Sequence, residues 1–289
     1  MGEPAGPNAE QISYWNDVTG PKWVAVADLI NAQLSAIGDQ AIRLAAPGPG
    51  ERVLDIGCGS GFTAIELGRR VGDAGQIVGL DISKPMLKDA EARAHQAGQG
   101  EIQFICGDAQ VHNFDGPPFD LLFSRFGVMF FEDPTAAFRN LANALRPGGR
   151  FLFACWRDRA LNPWMTVPAL VASKFVTLPP PPPPDAPGPF AFADADHTIG
   201  LLSGAGFEDV LATSIEPGVR IGAGRAQAEV LEFILQMGPA GAALREAKAD
   251  QTLLDEVRVA VADTLASYWD GDAYAMDAAV WLFSGHRGN

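Results

Sequence analysis

The chain has 289 residues, of which 47% are hydrophobic, and its 35 acidic and 21 basic side chains give a formal charge of −14. A chain of this length and composition can fill a sizeable core, so we expect a folded globular protein. The negative charge would repel nucleic acid and anionic lipid, because both present phosphates or other anions at their surface. Nucleic acid and membranes are therefore not expected as partners, and a small or neutral ligand is favoured.

The three cysteines, Cys58, Cys106 and Cys155, are far apart, and none has the spacing of a metal ligand pair. We therefore expect neither a disulfide framework nor a bound metal. The first ten residues lack the basic start and apolar centre of a secretion signal, and no apolar run reaches the roughly 18 residues of a membrane span. These features predict a cytoplasmic protein.

The N-terminal part of the chain has helical spacing over residues 8–46 and carries Tyr14, Trp15 and Trp23. The segment APGPGE then breaks the helical pattern and leads into the first strand. Residues 1–46 are therefore predicted to form a helical cap, which could act as a lid, rather than a separate domain.

The central part, residues 47–157, alternates β-rich apolar runs with helical patterns. The runs are RVLDIG, QIVGLDI, IQFICGD, FDLLFSRF and RFLFACW, and helical spacing lies between them, as at residues 85–96 and 134–145. Strands without polar alternation, separated by helices, are typical of a parallel sheet that is covered on both faces. The pattern predicts a doubly wound α/β core.

The C-terminal half is less regular. Residues 158–224 are predicted to hold an insertion with six consecutive prolines, then a helix and a strand of the core. The prolines favour a stiff connector over an SH3-type ligand. Residues 225–276 are predicted to be a helical insertion over the substrate, with two amphipathic helices, and residues 277–289 the final strand. The last two strands should pair and complete a seven-stranded, mostly parallel sheet with an antiparallel last strand.

A glycine-rich turn, Gly57-Cys58-Gly59-Ser60-Gly61, joins the first strand to a helix. This geometry places free backbone N–H groups and the positive end of a helix beside a ligand. A dinucleotide fingerprint, GxGxxG, would require glycine at position 62, which is Phe62. An NAD-dependent dehydrogenase is therefore disfavoured.

Two acids follow the next two strands. Asp81 ends the second strand, where a carboxylate can accept hydrogen bonds from both hydroxyls of a ribose. Asp108 follows the third strand, where a carboxylate can accept from the amino group of adenine. This arrangement indicates a nucleoside ligand without a pyrophosphate.

These motifs together resemble those of the class I S-adenosylmethionine-dependent methyltransferases. VLDIGCGSG is similar to their first motif, LDIS to the acidic end of their second strand, GDA to their adenine motif, and LRPGGR to the turn before their fifth strand. Over about residues 45–157 the chain is most similar to the small-molecule methyltransferases of the ubiquinone/menaquinone C-methyltransferase-like group.

The resemblance implies a Rossmann-like fold, S-adenosyl-L-methionine as cofactor and S-adenosyl-L-homocysteine as product. It implies methyl transfer by in-line displacement to an O, N, S or C atom of a small, largely apolar metabolite, in a monomer or homodimer. The implied cofactor-binding residues are Tyr14, Trp15, Asp55, Gly57, Cys58, Gly59, Gly61, Asp81, Ile82, Met86, Gly107, Asp108, Ala109, Ser124, Arg125 and Phe126.

Individual roles follow from the same resemblance. Asp81 would hold the ribose, Ile82 and Met86 would flank the adenine, and Asp108 with the Ala109 N–H would contact its edge. Asp55 would either contact the ammonium group of the cofactor through water or orient the glycine turn.

The segment after the fourth strand would face the methyl group that is transferred. Ser124, Arg125 and Phe126 would line the methionyl part, with an ion pair between Arg125 and Glu132 or Asp133 as the alternative. The expected substrate pocket contains Met129, Phe130, Trp156 and Trp164. Core packing is the alternative for Met129 and Phe130.

The chemistry requires little of the protein, because a sulfonium methyl group is already electrophilic and alignment is the main need. His112, four residues after Asp108, is the candidate general base if the acceptor must lose a proton. The motifs leave open a non-catalytic protein that binds the adenosyl cofactor, and an enzyme that uses the sulfonium for another reaction.

Overall fold

The computed structural model describes residues 6–180, 183 and 186–288. Its nine described strands are β1 (Arg52–Ile56), β2 (Gln76–Asp81), β3 (Gln103–Cys106), β4 (Phe119–Arg125), β5 (Leu145–Trp156), β6 (Phe207–Ile215), β7 (Val219–Ile221), β8 (Tyr274–Met276) and β9 (Val280–Arg287). Seven of them form one sheet in the order β3-β2-β1-β4-β5-β9-β6, and β7 pairs with β8 separately.

The helices cover both faces of the sheet and its ligand edge. They are α1 (Ala9–Ser13), α2 (Thr19–Ala25), α3 (Ala27–Ala45), α4 (Phe62–Val71), α5 (Lys84–Gln96), α6 (Pro134–Ala144), α7 (Pro163–Ala172), α8 (Ala195–Gly204), α9 (Gln227–Gln236), α10 (Gly238–Glu246) and α11 (Gln251–Leu265). A π-helical segment, Tyr14–Val18, joins α1 to α2.

The sheet confirms the predicted fold class. Strands β3, β2, β1, β4 and β5 run parallel, whereas β9 lies antiparallel between β5 and β6. The apolar runs of β1, β2 and β4 are buried, as expected for a sheet covered on both faces. The chain leaves β1 toward β2 on one side and enters β4 on the other, so a crevice opens between the carboxyl ends of β1 and β4.

The helical insertion differs from the sequence-based expectation. Three helices, α9, α10 and α11, occupy the segment for which two were predicted. The first break falls at Gly238, which has a φ of +65°, followed at once by Pro239. Proline lacks an N–H donor and cannot continue the preceding helix, so the chain starts a new one. The helical spacing of the N-terminal cap is likewise interrupted at Val26, which separates α2 from α3.

The proline run can be described only in part. Pro179, Pro180 and Pro183 lie outside helices and strands, and the rest of the run lies outside the described residues. Among the described helices, none is long and apolar enough to cross a membrane.

Candidate functional site

A cavity of about 310 Å³ lies at the carboxyl edge of the parallel strands. Five strands contribute lining residues at or just beyond their ends, among them Ile56, Asp81, Gly107, Arg125 and Trp156. Ligands of doubly wound sheets bind at this edge, where the strand order reverses. The topology therefore brings the sequence motifs of five separate segments to one cavity.

The glycine turn forms the floor of this cavity and is held by the neighbouring strand. The N–H groups of Gly57 and Cys58 donate to the carbonyl of Leu80, at 2.8 and 3.2 Å. Gly57 has a φ of +67°, and a Cβ atom there would lie 2.6 Å from the Cα of Gly127. The absence of a side chain at Gly57 is therefore required by the close approach of another backbone segment.

Asp81 connects β2 to this turn. Its carboxylate accepts hydrogen bonds from the backbone N–H groups of Gly59 and Ser83, both at 2.8 Å. Burial raises the pKa of Asp81, against the opposing effect of the backbone hydrogen bonds from Ser83, Gly59 and Ile82. The carboxylate lines the cavity. Each of its oxygens has one backbone donor, and an oxygen with two lone pairs can accept one more.

Asp108 also lines the cavity, and its two carboxylate oxygens differ in their hydrogen bonds. Its Oδ1 accepts from the side-chain amide of Asn8 at 2.8 Å and from the backbone N–H of Gln110 at 2.9 Å. Its Oδ2 is buried and has no hydrogen-bond partner among the described residues. A buried carboxylate oxygen without a donor is costly, so this oxygen is suited to a ligand donor.

A third acid, Asp55, lies below the turn and does not line the cavity. It is fully buried, and the Thr63 hydroxyl donates to its Oδ2 at 2.6 Å. Burial raises the pKa of Asp55 to about 7, although the Thr63 hydrogen bond and the charge of Arg125 both lower it. Its Oδ1 has no partner among the described residues. This geometry fits an acid that supports the glycine turn.

Arg125 lines the cavity next to this acid. Its guanidinium donates to the Asn31 Oδ1 at 3.2 Å, and burial lowers its pKa against the charges of Asp55 and Asp39. The alternative ion pair is not formed, because the described contacts of Glu132 are with Asn8 and the side chain of Asp133 caps α6. Within the described part of the chain, no carboxylate lies within 4.0 Å of the Arg125 guanidinium.

Aromatic side chains form the remaining wall. Phe126 stacks on Trp156 with ring centroids 4.0 Å apart and an interplanar angle of 7°, and Trp164 lies 5.2 Å from Trp156. Trp15 meets Phe130 edge to face at 5.4 Å. All five residues line the cavity. Aromatic rings in such contact offer flat apolar surfaces to a ligand.

Most of the predicted site residues line the cavity, and five do not. The lining set includes Trp15, Gly57, Cys58, Gly59, Asp81, Ile82, Met86, Gly107, Asp108, Ala109, Arg125, Phe126, Met129, Phe130, Trp156 and Trp164. The predicted residues outside this set are Tyr14, Asp55, Gly61, Ser124 and His112.

The structure gives a separate reason for Tyr14, for Ser124 and for His112. Tyr14 is 46% exposed and packs on the outer side of Trp15. The Ser124 hydroxyl donates to the Ile56 carbonyl at 2.7 Å and accepts from the N–H of Gly127 at 3.2 Å, so it holds the turn after β4. The His112 ring lies against Phe114, with centroids 4.9 Å apart, behind Gly107. His112 is therefore not placed to take a proton from a molecule in the cavity.

The sequence-based prediction missed several lining residues. They come from the cap, from α3, α4 and α7, and from the insertions, and include Asn8, Trp23, Ile30, Asn31, Leu34, Phe62, Thr63, Met165, Pro189, Phe233, Met237 and Pro239. None belongs to a motif with fixed spacing. Among the described residues, no group of three or more His, Cys, Asp and Glu side chains could hold a metal ion.

Comparison with known families agrees with this geometry. Residues 53–149 match the methyltransferase domain family. The chain is 33% identical over 144 residues to the aklanonic acid methyltransferase DauC of Streptomyces sp. strain C5, a match that covers 50% of this chain and 60% of that protein. It is 31% identical over 150 residues to the ubiquinone/menaquinone biosynthesis C-methyltransferase UbiE of Teredinibacter turnerae, covering 51% of this chain and 60% of the relative. The chain thus spans about 60% of the length of these relatives.

Solved structures share the fold at low sequence identity. The YcgJ protein of Bacillus subtilis superimposes with a TM-score of 0.56 at 17% identity, over 87% of this chain and 98% of that one. The [4+2]-cyclase SpnF gives a TM-score of 0.56 at 19% identity, over the full length of both chains. The fold therefore occurs in a protein named for a different reaction. Over residues 53–149 this chain is therefore similar to the methyltransferase domain family, and it shares its fold with these solved structures.

Proposed function

We propose that the chain binds S-adenosyl-L-methionine in this cavity and transfers the methyl group to an O, N, S or C atom of a small, largely apolar acceptor. The observation that carries the proposal is the placement of two acids, Asp81 and Asp108, at the ends of successive strands beside the glycine turn. The partnerless Oδ2 of Asp108 suits an amino donor, and Asp81 retains acceptor capacity for hydroxyl donors.

The lining residues fit the adenosyl part of this cofactor. Asp81 would accept from the ribose hydroxyls, Ile82 and Met86 would flank the base, and Asp108 with the Ala109 N–H would contact the adenine edge. Gly59 leaves the turn open here, because a Cβ atom would lie 2.9 Å from the Met86 Cε. A side chain at position 59 would therefore displace Met86, which would flank the base.

Arg125 and the turn would hold the methionyl part. Arg125 lines the cavity, its guanidinium has no carboxylate partner within salt-bridge distance among the described residues, and a guanidinium pairs well with a carboxylate. Asp55 would keep the turn in place through Thr63. The methionyl carboxylate of the cofactor would therefore be the counter-ion of Arg125.

The aromatic wall would hold the acceptor. When bound, the cofactor supplies an electrophilic methyl group. The chain would align the acceptor against that group and exclude water, with the stacked rings of Phe126 and Trp156 on one side and Phe233 and Met237 of the helical insertion on another. The names of the relatives, which refer to aklanonic acid, ubiquinone and menaquinone, support an aromatic or quinone-type acceptor.

A methyl-transfer assay tests the proposal. Purified protein is incubated with S-adenosylmethionine labelled in its methyl group and with panels of phenols, quinones, amines and thiols. We expect label in at least one acceptor and S-adenosylhomocysteine in equal amount, and less of both with Asp81→Ala when the cofactor is kept below saturation. Cofactor binding without labelled product from any panel would favour a non-catalytic binding protein or another reaction of the bound sulfonium. We retain the expectation of a cytoplasmic monomer or homodimer.

A further inference from the structure

Asn8 occupies an unusual position at the start of α1. It precedes the first helical residue, where asparagine commonly caps a helix, yet its side chain makes no capping hydrogen bond. Its φ of +58° is in the left-handed region, which asparagine tolerates better than most residues. It is only 4% exposed. The side chain is thus buried and directed away from its own helix.

The Asn8 side chain instead joins two loops at the ligand edge of the sheet. Its Nδ2 donates to the Asp108 Oδ1 at 2.8 Å and to the Gln110 Oε1 at 3.3 Å. Its Oδ1 accepts from the backbone N–H of Glu132 at 2.7 Å, and its own N–H donates to the Glu132 Oε2 at 2.6 Å. The loops after β3 and β4 are therefore connected through one residue of the N-terminal cap.

These contacts determine how Asp108 faces the cavity. Two donors, the Asn8 amide and the Gln110 N–H, occupy Oδ1, so the carboxylate cannot rotate without losing both. Only Oδ2 remains without a partner among the described residues. The acid is thereby held with one oxygen available to a ligand.

We propose that Asn8 is a positioning residue that fixes the Asp108 carboxylate and so makes the site selective for a base with an exocyclic amino group. This inference rests on the proposed function. An amino group donates to the free Oδ2, whereas a 6-oxo group at the same place is an acceptor and would face a carboxylate oxygen. Selectivity requires a fixed carboxylate, because a mobile one could turn away from the oxo group.

The test compares S-adenosylhomocysteine with its deaminated 6-oxo analogue, S-inosylhomocysteine, by calorimetric titration of the full chain. We expect Asn8→Ala to reduce the preference for the amino ligand by about tenfold relative to the unmodified protein, since a hydrogen bond to a charged group contributes roughly this much. Asn8→Asp keeps the shape of the side chain but places a carboxylate against Asp108, and we expect it to weaken binding of the adenosyl ligand more than Asn8→Ala does.

Asn16→Ala is the matched control. Asn16 ties the same cap to the loop after β2, through bonds to the Ile82 carbonyl and from the Lys84 N–H, without contacting Asp108. We expect this variant to weaken both ligands in the same ratio. An unchanged preference in both Asn8 variants, or an equal loss of preference in Asn16→Ala, would overturn the positioning role. Failure of the unmodified protein to bind S-adenosylhomocysteine would instead refute the proposed function.

Discussion

The backbone N–H of Gly59 donates a 2.8 Å hydrogen bond to the carboxylate of Asp81. The two residues are 22 positions apart in sequence; Asp81 ends β2, and Gly59 lies in the turn that follows the adjacent parallel strand β1. The second carboxylate oxygen accepts from the Ser83 N–H, so one side chain organises both loops. The glycine turn and the acid of β2 are therefore a single structural unit, and a change in either should affect ligand binding.

Removal of the Asp81 carboxylate should weaken cofactor binding. We expect Asp81→Ala to lower the affinity for S-adenosylhomocysteine by about 1.5 to 3 kcal/mol, because hydrogen bonds to a charged group contribute that much. Calorimetric titration measures the change. Asp89→Ala, which removes an acid of α5 that pairs with Arg93, is the control and should bind normally. Equal affinities in all three proteins would refute the role of Asp81.

Substitution of Gly57 should destabilise the protein more than substitution of Gly98, another glycine with left-handed backbone, because a second backbone segment lies close to Gly57. Gly57 and Gly98 have φ values of +67° and +71°, but a Cβ at Gly98 would meet no atom within 4 Å. Gly98→Ala should therefore lower the free energy of unfolding by about 1 to 2 kcal/mol, the cost of a left-handed alanine. Gly57→Ala should lower it further, because the segment at Gly127 must move. Urea denaturation of both variants measures this, and equal losses would contradict the packing argument.

The titration of the buried acid Asp55 should make the free energy of unfolding decrease as the pH rises. Its pKa is raised to about 7 in the folded protein, while an unfolded aspartate ionises near pH 4. Between these two pH values, Asp55 binds fewer protons in the unfolded state than in the folded state. The free energy of unfolding therefore falls as the pH rises. The contribution of Asp55 to the free energy of unfolding is fully present below about pH 4 and is lost as the pH rises through about 7.

Asp55→Asn isolates this effect, because the amide does not titrate. The free energy of unfolding of the unmodified protein, minus that of the variant, should decrease from about pH 4 to about pH 7 and then stay level. Denaturant titrations at several pH values measure the difference, in which the other titrating groups cancel. A difference that is independent of pH would show that Asp55 ionises normally in the folded protein.

The Arg125 guanidinium should contribute to binding affinity only for ligands that carry the methionyl carboxylate. We expect Arg125→Met to lower the affinity for S-adenosylhomocysteine about tenfold, since an ionised hydrogen bond is lost. Binding of 5′-methylthioadenosine, which lacks the carboxylate, should be unaffected. The two ligands are compared by calorimetry on both proteins. An equal loss for both ligands would assign Arg125 to folding of the site rather than to the methionyl carboxylate.

The sequence predicted the parts of the site that lie next to a strand. Gly57, Asp81 and Asp108 each follow an apolar run that can be identified locally, and the alternation of runs and helices predicted the sheet that brings them together. The extra break in the helical insertion had a local signal as well, because Gly238-Pro239 is a helix-breaking pair.

Other features depend on tertiary packing. Asn8 lies 100 positions from Asp108, and its left-handed conformation and hydrogen bonds arise only when the cap folds over the sheet. His112 is near Asp108 in sequence, and its backbone N–H donates to the Asp108 carbonyl, yet its ring packs against Phe114. Sequence proximity to a site residue therefore did not predict the direction of a side chain.

The central claim is that the glycine turn and its two acids form an adenosyl site. The most direct measurement is a calorimetric titration of the purified protein with S-adenosylmethionine and S-adenosylhomocysteine, with NADH as the control. Micromolar binding of both adenosyl ligands, with no binding of NADH, is the predicted result. Absence of adenosyl binding, or tighter binding of NADH, would contradict the account.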